Sequence, residues 1–81
     1  MSNLGIGQLA KRAGVAIDTV RYYERNQLLT PAGRLASGYR RYGETELKRL
    51  RFIRRAKALG FTLEDIRGLL SLSDERNVAK V

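Results

Sequence analysis

The segment that decides the fold is Ala16-Ile17-Asp18-Thr19-Val20-Arg21-Tyr22-Tyr23-Glu24-Arg25, which predicts a short helix that cannot stand alone. At 3.6 residues per turn, Ile17 and Val20 share one face with Glu24 close by, and the other residues spread over the rest. A helix with so narrow an apolar face depends on packing against its neighbours. Its short polar residues, tyrosines and arginines suit contact with base edges and phosphates in a groove.

The composition of the chain limits what it can do. Its 81 residues form one small domain, and a chain of this size buries only roughly 60–65% of its unfolded surface, which argues against an elaborate active-site cavity. Sixteen Lys and Arg against eight Asp and Glu give a net charge of +8. We therefore expect a polyanionic partner, with nucleic acid first and an anionic membrane surface second.

The residue types that are absent exclude most enzyme chemistry. The chain has no cysteine and no histidine, which removes the usual zinc ligands, thiol nucleophiles and neutral-pH proton shuttles. We predict no enzymatic activity and no cofactor or metal in this chain. The sequence has neither a run of about 18 apolar residues nor a signal-peptide hydrophobic region, so we expect a cytoplasmic protein without a membrane partner.

Two short helices with a tight turn between them are predicted at the amino end. The first covers residues 7–13, with Gly14 as its carboxyl cap, and the chain restarts after residues 14–16. Ala16 is a poor N-cap for the second helix, whose amino end relies on Asp18 and on packing. This arrangement predicts a helix-turn-helix, and an ordinary helical hairpin in a small bundle is the alternative.

A β-hairpin is predicted over residues 32–42, with its turn near residues 36–38. Because side chains alternate along the second strand, Tyr39 and Arg41 lie on one face of the strand, and Arg40 and Tyr42 lie on the other. Either face could present one arginine and one tyrosine to a phosphate backbone. The alternative is that the tyrosines pack on the core and the arginines are solvated.

A second pair of helices follows the hairpin. The first, over residues 44–59, has an apolar stripe that ends at Gly60: Leu47, Leu50, Ile53, Ala56 and Leu59. Its other faces carry six cations and no acid: Lys48, Arg49, Arg51, Arg54, Arg55 and Lys57. They are either a solvated face or partly contacts to phosphates.

A capping box at Thr62 starts the other helix of this pair, with Asp65 as the acid three residues on. We expect this helix to run through about Ser71 and to bury three residues: Ile66, Leu69 and Leu70. Residues 73–81 are polar and form either a linker or the beginning of a further helix.

Several separated motifs resemble the amino-terminal domain of MerR-family transcription regulators. They are Ile6-Gly7-Gln8-Leu9-Ala10, Gly14-Val15, Thr19-Val20-Arg21-Tyr22-Tyr23-Glu24, Leu28-Leu29, Gly38-Tyr39-Arg40-Arg41-Tyr42, Leu50 to Ala56, Leu59 to Ile66, and Leu69-Leu70. The resemblance covers about residues 4–72. It implies a mostly α fold, a winged helix-turn-helix with four short helices and a small β-hairpin wing.

The resemblance also implies a domain organisation. Residues 1–72 would be the DNA-binding domain, with the helix-turn-helix at 7–26, the wing at 32–42 and the second helix pair at 44–71. Residues 73–81 would be a linker or the start of a truncated dimerisation helix.

The function implied by the resemblance is sequence-specific binding of double-stranded promoter DNA. MerR-like regulators bind inverted repeats as homodimers and distort the DNA, so that RNA polymerase can use promoters with overlong spacers. The part of such a regulator that binds an effector is absent from this chain. Gln27 and the segment 22–25 resemble heavy-metal-responsive members, although a left-handed Asn26 at the helix end would also account for Gln27.

Position by position, the resemblance implies two groups of DNA-binding residues. Four would lie at or beside the major groove: Asp18, Thr19, Arg21 and Tyr22. Tyr23 has a divided role, because one of the paired tyrosines could anchor the helix to the core. Four more would lie in the wing: Arg34, Tyr39, Arg40 and Arg41.

Two other functions fit parts of the sequence. A small architectural protein of the excisionase type, which bends DNA for recombination, matches the size of the chain. A basic helical module on an anionic membrane surface matches the charge, but the helix over residues 44–59 has no tryptophan and the hairpin would have no role.

Overall fold

The computed structural model describes residues 4–30, 33–34 and 40–79, and it describes side chains for residues 4–30 and 41–72. Four helices and one two-stranded sheet are present in these ranges: α1 Ile6–Ala13, α2 Ile17–Arg25, β1 Gly33–Arg34, β2 Arg40–Arg41, α3 Glu44–Ala58 and α4 Leu63–Ala79. The predicted mostly helical architecture with a small hairpin is confirmed. No helix within the described residues is both long and apolar enough to cross a membrane.

The turn between α1 and α2 is the predicted one. Gly14 has φ 75° and follows α1 directly, in the left-handed region that glycine adopts without steric cost. The Val15 N–H then donates to the Ala10 carbonyl at 2.9 Å. The chain restarts after Ala16, whose side chain makes no cap, and Asp18 is the acid in the first turn of α2.

The buried side of α2 differs from the predicted one. Val20 is fully buried and Tyr23 is 7% exposed, whereas Ile17 is 40% exposed. The prediction for Ile17 is therefore wrong. Ile17 lies beside Gly7 of α1 at the edge of the helix pair, because α2 approaches the core with the half of the helix that contains Val20 and Tyr23.

The chain reverses at Gln27, directly after the cap of α2. Asn26 has φ −92° and Gln27 has φ 62°, so Gln27 is the left-handed residue and a left-handed Asn26 does not account for it. The Asn26 side chain instead donates from Nδ2 to the Tyr22 carbonyl at 2.8 Å. The chain then enters the core at Leu28 and Leu29, both of which are buried.

The hairpin has the predicted antiparallel form. Gly33 pairs with Arg41 and Arg34 with Arg40, a register that is symmetric about position 37. The predicted turn at residues 36–38 lies outside the described residues. Tyr42 extends the second strand by exchanging two backbone hydrogen bonds of 2.8 Å with Leu4. Because Tyr42 is 1% exposed, it packs in the core and is not available to phosphates.

The helix α3 follows its predicted stripe up to its last turn. Leu47, Leu50, Ile53 and Ala56 are buried, but Leu59 is 72% exposed, so its assignment to the core is wrong. The physical reason is that α3 ends at Ala58 and the chain turns through Gly60, which has φ 99°.

The helix α4 begins with the predicted capping box. The Thr62 N–H donates to Asp65 Oδ2 and the Asp65 N–H donates to Thr62 Oγ1, each at 3.1 Å. Ile66 and Leu70 are buried as expected, whereas Leu69 is 42% exposed and its predicted burial is wrong. The helix passes the expected end at Ser71 and continues through Ala79, since residues 69–79 contain neither glycine nor proline.

One core holds the elements together. Its buried residues come from every helix and from the segments next to the wing: Leu4, Leu9, Ala10, Ala13, Val20, Tyr23, Leu28, Leu29, Tyr42, Leu47, Leu50, Ile53, Ala56, Ile66 and Leu70. The scaffold that the narrow face of α2 requires is therefore α1, α3 and α4 together.

Gly14→Ala should lower the free energy of unfolding by about 1–2 kcal/mol, because it forces an alanine into the left-handed region. The added Cβ would lie 3.6 Å from the Arg54 guanidinium, an ordinary contact distance, so the cost comes from the backbone. Gly68→Ala is the matched control: it lies inside α4 with open space around its Cβ and should gain about 0.5–1 kcal/mol. Urea unfolding measures both, and equal effects of the two variants would contradict the account of the turn.

Candidate nucleic-acid interface

The outward face of α2 is polar, basic and aromatic. The side chain of Asp18 is 96% exposed and that of Arg21 is 56% exposed, and their charged atoms are 4.0 Å apart. An exposed ion pair of this length contributes little stability, so Arg21 can exchange it for a phosphate or a base. Thr19 is half-buried and Tyr22 is 46% exposed. The side chains on this face of α2 are therefore accessible to an external partner.

The adjacent tyrosines of α2 have different environments. The Tyr23 ring lies in the core while the Tyr22 ring is half exposed, and their centroids are 5.8 Å apart with an interplanar angle of 51°. Burial, with a smaller contribution from the nearby Tyr22, raises the pKa of the Tyr23 phenol above its usual value. Of the two tyrosines, Tyr23 is thus the one that anchors α2.

The wing brings arginines together by its register. Arg34 and Arg40 are direct cross-strand partners, and Arg41 pairs with Gly33 next to them. The Arg41 side chain is half-buried. The side chains of Arg34 and Arg40, and all of Tyr39, lie outside the described residues, so the geometry covers only part of the predicted wing contacts.

A hydrogen bond that the sequence analysis did not foresee connects α2 to the end of the wing. The Tyr42 hydroxyl donates to Glu24 Oε2. Glu24 is half-buried and lies in the last turn of α2, and Tyr42 directly follows β2. No pattern in the sequence indicated this pair, because the two residues belong to elements of different period that are far apart in the chain.

Cations of α3 and α4 donate hydrogen bonds to carbonyls at or just beyond the carboxyl ends of the first two helices. Arg49 donates from Nε to the Leu28 carbonyl at 2.8 Å, and Arg67 donates from Nη2 to the Asn26 carbonyl at 2.7 Å. Arg51 donates from Nη2 to the Arg12 carbonyl at 3.3 Å. Positive charge at a helix carboxyl end is favoured by the helix dipole.

These contacts divide the six cations of α3. Arg49, Arg51 and Arg54 face the α1–α2 unit, the last of them through its guanidinium beside Gly14. All of the six except the half-buried Arg49 are exposed, including the remaining three: Lys48, Arg55 and Lys57. The basic run is therefore only partly a solvated face, because half of it helps to seat the first helix pair on the second.

The residues present do not suit a resident metal ion. The chain has no cysteine and no histidine, and no group of three or more potential ligands occurs in the part that the structure describes. The described side chains also leave no buried nitrogen or oxygen without a partner.

Comparison with known proteins identifies the family. The model of the MerR HTH family regulatory protein matches residues 4–73. The chain belongs to the MerR family. The transcriptional regulator ZntR of Escherichia coli K12 is 54% identical to it over 67 residues, which are 83% of this chain and 48% of ZntR. The family consists of transcriptional regulators, which confirms the prediction that the chain is not an enzyme.

Solved MerR-family structures have the same winged helix-turn-helix fold. PbrR691 from Ralstonia metallidurans CH34, in complex with lead(II), superposes with a TM-score of 0.84 at 44% identity, over 90% of this chain and 57% of that one. HiNmlR, a MerR family regulator lacking the sensor domain and bound to promoter DNA, superposes with a TM-score of 0.82 at 27% identity, over 88% and 54%. The chain spans about half the length of each of these three proteins.

Tyr23→Phe should change how stability depends on pH. The raised pKa of Tyr23 means that the folded state keeps the phenol proton more tightly than the unfolded state does. Wild-type stability is therefore unaffected by this group below about pH 9 and falls above about pH 10, with a slope of at most about 1.4 kcal/mol per pH unit. The variant lacks this component.

Urea unfolding from pH 8 to pH 11 measures the effect as the difference between wild type and Tyr23→Phe. All other titrating groups are common to both proteins and cancel. The difference should be constant up to about pH 9 and shift above pH 10. Two curves that stay parallel to pH 11 would contradict the burial of Tyr23.

Proposed function

We propose that the chain binds double-stranded promoter DNA in a sequence-specific manner as the DNA-binding part of a MerR-family transcriptional regulator. The observation that carries this is the exposed polar face of α2 beside a wing whose register pairs two arginines. The promoter DNA in the HiNmlR structure supports the same assignment. The net charge of +8 supplies the attraction to a polyanion.

In this proposal α2 is the recognition helix and lies in the major groove, which is wide enough to admit a helix. Asp18 and Thr19 approach the bases from its first turns, Arg21 contacts a base edge, and Tyr22 lies against the backbone. Tyr23 acts from the core by fixing the helix. The exposure of Asp18, Arg21 and Tyr22 supports these roles.

The wing holds the flanking backbone through Arg34, Tyr39, Arg40 and Arg41. The backbone register pairs Arg34 with Arg40 across the two strands. Two cationic residues at paired positions support a polyanion as the partner of the wing. Contacts of this kind fix the orientation on the duplex and carry little sequence information.

In a longer regulator built on this domain, two copies form a homodimer on an inverted repeat. Twofold symmetry of the protein is matched by a palindromic site. The dimer distorts promoter DNA with an overlong spacer for use by RNA polymerase, and the deformation energy of the duplex is offset by added contacts. The relatives support this through their length, about twice that of this chain. Promoter binding implies a cytoplasmic location.

The effector of such a longer regulator is a metal ion, held outside these 81 residues. PbrR691, which was solved with lead(II), supports metal response. The absence of cysteine and histidine from this chain supports a chain that holds no cofactor itself, because soft metal ions take thiolate and imidazole ligands.

Selection of duplexes from a random pool by the purified chain tests the proposed function. We expect enrichment of an inverted repeat or of one half-site, bound more than about 10³-fold more tightly than a scrambled duplex. The logarithm of the binding constant should fall with the logarithm of salt concentration by about 0.9 per phosphate contact. Salt-sensitive binding without any enrichment would contradict the proposal and favour an architectural protein of the excisionase type.

Arg21→Ala and Arg40→Ala should weaken binding in different ways, and each is the other's control because both remove one positive charge. Loss of a base contact by Arg21 should cost about 1–3 kcal/mol on the selected duplex and much less on a scrambled one. Loss of a phosphate contact by Arg40 should weaken both duplexes alike and reduce the salt slope by about 0.9. Fluorescence anisotropy measures both, and unchanged affinities in the two variants would contradict the assignment.

A further inference from the structure

The wing is too small to hold its own orientation. In the part of the chain that the structure describes, each of its strands has two residues, Gly33–Arg34 and Arg40–Arg41. An isolated two-stranded hairpin is marginally stable at best in water, even with longer strands. The direction in which the wing projects must therefore be set by contacts at its base, where it joins the rest of the domain.

Tyr42 is the residue at that base. It directly follows β2, exchanges two backbone hydrogen bonds of 2.8 Å with Leu4, and is 1% exposed. Its backbone thus ties the wing to the segment that precedes α1, and its ring is enclosed in the core. The ring also fixes where the hydroxyl can point.

The hydroxyl of Tyr42 points to the recognition helix. It donates to Glu24 Oε2, and Glu24 lies one turn after Arg21 on α2. Residues three apart on a helix are neighbours on its surface. The bond therefore joins the base of the wing to the helix one turn from Arg21.

We infer that the hydrogen bond between Tyr42 and Glu24 is a positioning link that sets the angle between the recognition helix and the wing, and so makes binding sequence-specific. This rests on the proposed function. Tyr42 and Glu24 are positioning residues here, since they act through Arg21 on one side and the wing arginines on the other. A hydrogen bond to a carboxylate is stronger than one between neutral groups, which suits it to hold a marginal hairpin.

The link has a consequence that a merely stabilising contact lacks. If the wing changes its angle to α2, the wing and α2 cannot both contact one duplex in their best positions. The DNA contacts of one of these two elements are then lost. Preorganised contacts bind more tightly because no ordering is required on association. Binding to the selected site then weakens more than binding to arbitrary DNA, which makes fewer simultaneous contacts.

Tyr42→Phe tests this, because it removes the hydroxyl and keeps the buried ring. We expect about tenfold weaker binding to the selected duplex and less than about twofold weaker binding to a scrambled one. The salt slope on the selected duplex should fall by about 0.9 for each phosphate contact that the wing loses. Circular dichroism sets a temperature at which both proteins are folded, and all binding is measured there.

Glu24→Ala and Glu24→Gln provide a second route if Tyr42→Phe fails to fold. Glu24→Gln keeps an acceptor oxygen and should retain most of the specificity ratio, whereas Glu24→Ala should lose it as Tyr42→Phe does. Glu64→Gln, an exposed carboxylate on α4, is the control for loss of one negative charge. If Glu24 acted only by repelling phosphates, Glu24→Ala and Glu24→Gln would both bind all duplexes more tightly. The control Glu64→Gln would then also bind them more tightly, but to a lesser degree.

Glu24 and Tyr42 each make a further interaction, so a single substitution removes more than the bond between them. The double variant, compared with the two single variants, isolates the contribution of that bond. If the link acts as one unit, Tyr42→Phe together with Glu24→Ala is no less specific than either alone. Specificity losses that simply multiply would overturn the inference.

The outcomes separate this inference from the proposed function. If wild type enriches no sequence, the proposed function fails and no positioning link is needed. If wild type is specific and Tyr42→Phe keeps both the specificity ratio and the salt slope while melting at a lower temperature, the bond only stabilises the fold. That second result overturns the inference and leaves the proposed function intact.

Discussion

The position of α2 depends on how its carboxyl end is held, because the helix buries only Val20 and Tyr23. A helix with two buried side chains is not stable by propensity alone. The structure supplies the missing restraint through the carbonyls of Asn26, at the helix end, and Leu28, just beyond it, which accept hydrogen bonds from Arg67 and Arg49. The outward face of α2 can therefore remain polar, since none of its side chains is needed to hold the helix in place.

The positive charge of the chain consequently has two separate uses. Arg49, Arg51 and Arg67 donate hydrogen bonds to carbonyls at or just beyond the ends of α1 and α2, and these bonds join the first helix pair to the second. In the proposed function, the cations of α2 and the wing meet phosphates instead. A count of net charge does not separate the two groups, and replacement of a cation in the first group would alter DNA binding indirectly, through the seating of α2.

Local signals in the sequence predicted the elements well, and long-range packing decided what they could not. Gly14 as a helix stop and the Thr62–Asp65 capping box depend on neighbouring residues only, and both are present as predicted. Leu59 was misassigned because an apolar stripe does not reveal that its helix stops one residue earlier. For the candidate site, the residues of α2 could be named from sequence, but Tyr42 as a partner of Glu24 could not, since helical and strand periodicities say nothing about contacts between elements.

The proposed function requires α2 and the wing to form one DNA-binding face. A titration of the isotope-labelled chain with the selected duplex, followed by amide chemical shifts, tests this most directly. We expect the largest shifts at residues 17–22, 33–34 and 40–41, and small shifts at residues 64–71 of α4. Large shifts along α4 with none in α2 would contradict it, because the duplex would then lie against a surface other than α2 and the wing.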